Sequence, residues 1–474
     1  MSPLIGTTGS GSSRGLGTFR RFIASVIATL SGRLYMWGAN YYGTGNGSGD
    51  YSYTGSTLGA FGAEVTWTSV TGGGSDMGGT NAHSLFVKNN GTMWAVGYNG
   101  NGLFGDGTAT SRSSISQVGS ATNWAKVVTG LVHSMAITTS GTLWATGYNA
   151  FGHLGLGDAS QRYSWTQVGS STWTDVACGD YHTLAIKSDG TLWGWGYNSN
   201  GQVGDGTFTN RSSPVQIGNR TDWVKIAAGY YGSMGITADG KMWAWGYTWN
   251  LPTGNYSYNS PVQIGSDTNW SAVSLGFGHG LAIKTTGTLW AWGYNNDYGQ
   301  QGNGAFSYAL TPVQIGSSTN WSKISTGYVS SFAINTSGNL YAWGLNNHTN
   351  YYYGQLQYGL DCFSQNYNKS LGFDNSYQYT YTESGYAWFC DQSYQCDGDV
   401  DGVPICYNYD TGMCDACNGC YSFYSPTYRY YSTSIQCYSG KHPSPVLVSS
   451  GTGNTFLDLA KASSGYHMAA IRTS

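Results

Sequence analysis

The sequence predicts an all-β chain: a seven-bladed β-propeller with a Cys/Tyr-rich insertion domain in its last blade. Three observations carry that expectation. A nine-residue segment typified by GTLWAWGYN (287–295) occurs seven times. Glycine reaches 72 of 474 residues without a G-X-Y period, which excludes a collagen-like fibre. Eight of the nine cysteines crowd into one late stretch of otherwise different composition.

The copies are GRLYMWGAN (32–40), GTMWAVGYN (91–99), GTLWATGYN (141–149), GTLWGWGYN (190–198), GKMWAWGYT (240–248), GTLWAWGYN (287–295) and GNLYAWGLN (338–346). Successive starts lie 59, 50, 49, 50, 47 and 51 residues apart. Self-similarity at such a period marks a repeat architecture, not a string of unrelated domains. Each copy continues through a Gly-rich turn such as NGQVGDGT (200–207) and a short strand such as SPVQIG (213–218). Next come segments such as TDWVKIAAG (221–229) and HTLAIKSDG (182–190), the latter kind leading into the next copy.

Residues two apart share one face of a strand, so Trp193 and Trp195 point the same way, as do Trp243 with Trp245 and Trp290 with Trp292. Leu192 and Gly194 point the other way, so both faces need cover. Four short strands per period, with Gly turns between, describe a propeller blade. The indoles Trp37, Trp94, Trp144, Trp193, Trp195, Trp243, Trp245, Trp290, Trp292 and Trp343 are expected to pack blade against blade. A buried Trp contributes about 4–6 kcal/mol as an upper bound. The stretches FIASVIATL (22–30) and SSGYHMAAIRTS (463–474) both read as the strand that precedes a copy. They compete for one place in the ring, and a closing blade shared by the two chain ends is expected.

These motifs, seven in register with PVQIG and WxxVxxG segments following, resemble the regulator of chromosome condensation family over about 22–347 and 443–474. The resemblance implies a seven-bladed propeller. Kelch repeats have a similar period but a Gly pair and a differently spaced Trp. The founding member of the resembled family is a nucleotide-exchange factor for the small GTPase Ran and docks on nucleosomes, but a fold does not carry its activity with it. Here charged residues are only 9% and the net charge is −3, so no phosphate-neutralising surface for nucleic acid is expected. The leader carries three Arg, and Lys+Arg total 20 in the whole chain.

No apolar run reaches the roughly 18 residues that span a bilayer, so no membrane insertion is expected. RRFIASVIATLSG (20–32) reads as a strand and not as an export signal. His83, His133, His182, His279 and His467 share one repeat position, which Gly232 and Ser330 occupy in two other copies. A ligand ring would tolerate those two poorly, so each His is expected to hydrogen-bond to a neighbouring turn. Asp106 and Asp205 read as turn formers in GDGT segments. No P-loop or H-E-x-x-H pattern occurs. The expectation is a non-enzymatic protein with no organic cofactor.

The domain reading is a Gly/Ser-rich leader (1–21), a propeller (22–359 and 443–474) and an insertion (360–442). Cys362, Cys390, Cys396, Cys406, Cys414, Cys417, Cys420 and Cys437 fall in the insertion, and 18 of the 39 tyrosines lie between 351 and 438. That density suits a disulfide scaffold whose pairing sequence does not fix. CDACNGC (414–420) with Cys406 has the alternative composition of a four-thiolate zinc site. Cys178 reads as a small buried hydrophobe. CDGDVDGVPICYN (396–408) places Asp397, Asp399 and Asp401 in alternation before Gly402, with Val403 and Asn408 at the seventh and twelfth positions of a calcium loop. It resembles thrombospondin-type calcium repeats and, more loosely, EF-hands. Asn408 stands where an EF-hand has its bidentate Glu, so Ca2+ and a plain acidic turn both remain open.

Tyr with Ser, Gly and Asn is also the composition of recognition surfaces. The leader SPLIGTTGSGSSRGLG (2–17) resembles Gly-rich leaders of tailed-bacteriophage structural proteins. The expectation is a virion structural protein, a tail fibre, spike or capsid decoration at the virion surface, compatible with a homo-oligomer. Its leader would engage other virion proteins, and its insertion a host-surface glycan or protein. A secreted bacterial surface adhesion module and an intracellular exchange-factor-like scaffold are the alternatives. Eight cysteines do not readily pair in a reducing cytosol, which oxidation after lysis, or zinc in place of disulfides, would resolve.

Overall fold

A computed structural model describes residues 32–38, 59–61, 67–73, 82–247, 257–294 and 296–346, with the strands at 387–389, 394–400, 403–408, 413–416, 421–423, 440–447, 456–459 and 467–473. All regular structure among these residues is β-strand. The first sheet runs Trp67–Gly73, His83–Lys88, Met93–Gly97, Arg112–Val118, each strand antiparallel to the last. The fourth and fifth sheets repeat that order from Trp223–Ala228 and from Trp270–Leu275.

The second and third sheets share one 17-residue strand, Arg162–Cys178. Its first part pairs with Thr142–Gly147 and its last part, from Trp173, with His182–Lys187. The sixth sheet takes Trp321–Thr326, Ser330–Asn335 and Leu340–Asn346, and its fourth strand, Gly440–Leu447, returns from beyond the insertion with Ala342 opposite Val446. That strand begins at Gly440, ahead of the boundary expected at 443. A terminal sheet joins the two ends of the chain. Gly32–Gly38 pairs residue for residue with His467–Thr473, from Gly32 opposite Thr473 to Gly38 opposite His467. Trp67–Gly73 packs against His467–Thr473, and Trp321–Thr326 and Ser330–Asn335 pack against Phe456–Leu459, so the terminal sheet has neighbours on both sides. The expected strand at 22–30 lies outside the described residues.

One sequence copy therefore straddles two sheets. Its WGYN and PVQIG strands end one sheet, and its WxxV and HxxAI strands begin the next. Local chemistry explains each position. The second strand, such as His133–Thr138, is buried at every residue and rich in apolar side chains. The fourth strand is a half-exposed edge, and it holds Pro214 and Pro261, tolerated there because an edge leaves one row of amides unpaired. The asparagine of WGYN organises the turn that follows. Asn198, fully buried, accepts from the Val203 amide at 2.8 Å and donates to the Thr207 and Thr209 carbonyls at 3.1 Å. Asp205 in that turn accepts from the Thr207 amide at 3.0 Å and pairs with Arg211 at 2.5 Å.

Apolar clusters lie between sheets, not within them. Between the third and fourth, Leu184, Leu192 and Ile217 meet Trp223, Ile226 and Trp245. The indoles divide into two classes. Trp195, Trp245, Trp292 and Trp343 are fully buried. Trp94, Trp144, Trp193, Trp243 and Trp290 are half-buried, with edge-on contacts to Trp67, Trp124, Trp173, Trp223 and Trp270 of the first strands. In the second sheet Thr146 stands where a second Trp is expected, and Trp165 from the shared strand fills the space, its ring 5.3 Å from Trp124. Of Trp37 only the strand that carries it is described.

Where adjacent first strands converge, the glycine of WxxVxxG leaves room for its neighbour. A Cβ on Gly130 would run into the carbonyl of Gly179, and one on Gly179 into that of Gly229. Hydroxyls bridge the same strands, Thr71 to Thr129 and Ser274 to Thr326, each at 2.9 Å. Within the insertion, Tyr394–Val400, Val403–Asn408 and Met413–Ala416 form one sheet, and Ala387–Phe389 pairs with Tyr421–Phe423.

Candidate functional site

First and third strands of a sheet run in the same direction, because each is antiparallel to the second. The loops that follow them therefore open on one common face. Beneath that face lie buried histidines, and on it lies a band of aromatic rings.

His133, His182 and His279 are fully buried, and each reaches into the next sheet. Their Nε2 atoms lie 2.9, 2.8 and 2.8 Å from the hydroxyls of Thr183, Ser233 and Ser331. Those hydroxyls donate onward to the carbonyls of His153, Gln202 and Gln300 at 2.9, 2.7 and 2.7 Å. The same carbonyls accept from the indoles of Trp195, Trp245 and Trp343 at 2.9, 3.0 and 2.9 Å. Because the hydroxyl spends its proton on the carbonyl, the histidine must donate from Nε2, which fixes the tautomer of the neutral ring. Nδ1 of His133 and of His182 is buried without a hydrogen-bond partner. Burial therefore pulls the pKa of His182 and His279 to about 3. Burial likewise pulls His133 well down, with further pushes from His153, His182 and His83.

The partner is thus a hydroxyl of the adjacent sheet and not a neighbouring turn, as expected from the sequence. The sequence does carry the signal, one residue along and one repeat on. His83, His133, His182, His279 and His467 have Ser134, Thr183, Ser233, Ser331 and Ser84 at the matching position of the next sheet. Where Gly232 replaces the histidine, the partner position is Gly280, and the Trp292 ring lies where a Cβ on Gly280 would be. Where Ser330 replaces it, the partner position is Met468. Ser233→Ala is expected to destabilise the protein by about 1–3 kcal/mol, read from urea unfolding, because it strands the His182 donor.

A further buried histidine, His153, escaped the sequence reading because it sits in the turn after WGYN. Its ring centroid lies 4.8 Å from that of His133. Burial pulls its pKa to about 4, against a smaller upward pull from the Tyr148 backbone.

Over these residues the rings run continuously. Phe151 contacts Tyr181 at 5.6 Å and Tyr197 at 5.0 Å; Tyr197 meets Tyr231 at 5.8 Å, and Tyr230 meets Tyr231 at 3.9 Å. Tyr230 then meets Phe277 at 4.7 Å, and Phe277 stacks on Tyr328 at 4.1 Å with 21° between the planes. All are partly exposed. Asp180 beside them is buried, at 2% exposure. Burial pushes the phenols of Tyr230 and Tyr231 up, so both stay protonated hydroxyls. Farther out on the same face Tyr294 and Tyr308 are exposed and stack at 4.8 Å. The insertion leaves and returns here too, since it joins a third strand to a fourth.

Asp106 accepts from the Thr108 amide at 2.9 Å and pairs with Arg112. Cys178 is a buried free thiol in the cluster between second and third sheets, and burial pushes its pKa up. Cys396 stands opposite Cys406 across paired strands, Tyr407 opposite Cys414, and Val400 opposite Val403 with two residues between. Asp397, Asp399, Val403 and Asn408 lie in those strands, while Asp401 falls outside the described residues, as do Cys362, Cys390, Cys417, Cys420 and Cys437. Among the described residues no group of three or more His, Cys, Asp or Glu is placed to hold a metal, and no helix is long and apolar enough to cross a membrane.

The chain carries repeats described as "Regulator of chromosome condensation (RCC1) repeat", matched at 140–186, 189–236 and 286–334 and, by a second model of the repeat, at 173–202, 223–250 and 270–300. Human WBSCR16 is similar in structure at 17% identity and a TM-score of 0.63, over 94% of this chain and 99% of that one. Prp20p of Saccharomyces cerevisiae, described with its binding properties to Gsp1p and histones, is 14% identical with a TM-score of 0.63, over 94% and 92%. Yeast RCC1 (Prp20) in its complex with Kap60 is 12% identical with a TM-score of 0.64, over 100% and 97%. At these identities the likeness is one of fold. No curated protein matches the chain.

Proposed function

We propose that the seven sheets close into one ring through the sheet shared by the two chain ends, and that this ring is the rigid carrier of a non-enzymatic virion structural protein. The carrying observation is where the insertion attaches. Its Cys/Tyr-rich sequence is held between Leu340–Asn346 and Gly440–Leu447, on the face that bears the aromatic band, as binding segments are commonly mounted on rigid scaffolds. A surface with only 9% charged residues and net charge −3 suits an extracellular or virion exterior of Gly, Ser, Thr, Asn and Tyr. It supports neither histone nor nucleic-acid contact, which needs dense basic charge.

In this reading the leader at 1–21 anchors the protein to other virion proteins, and the insertion contacts a host-surface glycan or protein. The insertion cysteines pair once outside the reducing cytosol, and Asp397, Asp399 and Asp401 supply carboxylates for one Ca2+. The test is mass spectrometry of purified particles, with sequencing of the mature N-terminus. Peptides of this chain at a fixed copy number, starting near Ser2, are expected. Absence from particles, with a cut near residue 30, would replace this reading with the secreted adhesion module.

A further inference from the structure

We propose that the aromatic band on the insertion-bearing face is a binding site for a neutral carbohydrate chain. The proposal adds a second recognition surface beside the insertion of the host-contact reading given above, and it rests on that reading only for the source of the sugar. The site itself rests on geometry. Tyr197, Tyr231, Tyr230, Phe277 and Tyr328 form an unbroken row of partly exposed rings drawn from loops of four successive sheets, with successive centroids 5.8, 3.9, 4.7 and 4.1 Å apart. Successive planes tilt by 41°, 48° and 56° from Tyr197 to Phe277, and only Phe277 and Tyr328 stack on one another, at 21°, so the tilted rings keep π-faces that no neighbour's plane covers, and the positively polarised C–H faces of pyranose rings are what such faces attract.

The chemistry of the band narrows the ligand. Its loops, residues 179–181, 197–210, 229–231, 276–278 and 327–329, contain no Lys or Arg, so a phosphate backbone has no counter-charge even though bases stack on aromatics. A peptide adding by main-chain pairing finds the loop amides occupied. The Gly130, Gly179, Gly229 and Gly276 amides each donate at 2.9 Å to the carbonyls of His133, His182, Gly232 and His279. The Tyr197 and Tyr247 amides donate to Tyr181 and Tyr231 at 2.9 and 2.8 Å. Phenol hydroxyls are among the polar groups of the band, and the carboxylates of its loops are Asp180, buried beneath it, and Asp205, paired with Arg211. Uncharged C–H faces bordered by hydroxyls match that surface.

The test is binding of the full-length chain to a printed array of neutral and acidic glycans, with proline-rich peptides and single-stranded DNA printed beside them. Two rim variants, Phe277→Leu and Tyr230→Leu, keep apolar bulk while removing the ring. A third, Tyr428→Ala with Tyr430→Ala, alters the insertion alone. Neutral glycans are expected to bind the parent chain, with a loss of about tenfold or more in each rim variant at an unchanged urea midpoint. Binding of no glycan, or of peptide or DNA instead, would overturn the site. So would glycan binding that survives in the rim variants and disappears in the insertion variant, an outcome that leaves the host-contact reading standing. Absence of the protein from particles would remove that reading without touching the site.

Discussion

Moving the protein from pH 7 to pH 5 is expected to destabilise the fold by about 2 kcal/mol for each deeply buried histidine. The sign follows from the direction of the shifts. His182 and His279 are held at about 3 and His153 at about 4, all below the ordinary 6.5, so the unfolded chain takes up protons that the folded chain refuses. Stability is complete above about pH 6.5 and falls progressively as pH drops towards 3–4. Three such groups amount to about 6 kcal/mol at pH 5, a large part of the 5–15 kcal/mol that stabilises an ordinary domain. Four carboxylates with shifted pKa values stay out of the interval. Asp158, Asp189, Asp205 and Asp239 are all held below the usual carboxylate range by hydrogen bonds and cationic neighbours, so their loss begins under about pH 4. Urea midpoints measured from pH 7.5 to 5 check this. His182→Gln keeps a donor for Ser233 and cannot titrate, so it should flatten the pH slope by about one proton. A midpoint independent of pH, or an undiminished slope in the variant, would show that these rings are already hydrated or charged.

The legible part of the fold was the part written in period. Seven copies of one segment gave the repeat, and alternation within GTLWAWGYN put both tryptophans on one face. The phase of the repeat was not legible, because a cyclic pattern has no marked start. The structure cuts it before WxxV, so that two strands of each copy belong to the following sheet. The histidine register was visible but its partner was not, since hydroxyl and imidazole lie about 50 residues apart and meet only when sheets stack (His133 with Thr183 is the clearest case). Trp165 shows the opposite limit. Alignment of the copies finds Thr146 where a tryptophan belongs, and nothing local says that a residue of the next strand fills the gap. The aromatic band was hidden for a similar reason. Tyr181, Tyr230, Phe277 and Tyr328 each occupy one loop of one repeat, and they become a surface only when the loops converge.

Trp245→Ala is expected to cost about 3–5 kcal/mol, whereas Trp243→Ala, two residues earlier on the same strand face, should cost under about 2 kcal/mol. The difference is one of burial and not of residue type. Trp245 is fully buried between Leu184, Leu192 and Ile217 of the third sheet and Trp223 of its own. Its indole donates to the Gln202 carbonyl at 3.0 Å, and Gly204, at φ 86°, lies so close over the ring that an added Cβ would overlap Nε1. Both closures depend on the ring being present, so truncation leaves a cavity and one fewer donor for a buried carbonyl. Trp243 is half-exposed, donates to the Thr237 hydroxyl at 3.3 Å and carries the Arg220 guanidinium 5.1 Å from its ring, and water can replace much of that. Because each sheet touches only its neighbours, the damage from Trp245→Ala should stay local. Amide exchange should rise in the strands His182–Lys187 and Trp223–Ala228 while Leu289–Gly293 keeps its protection. Equal losses from the two substitutions would mean that the tryptophans share one environment, and the wedge between sheets would then not be what holds them together.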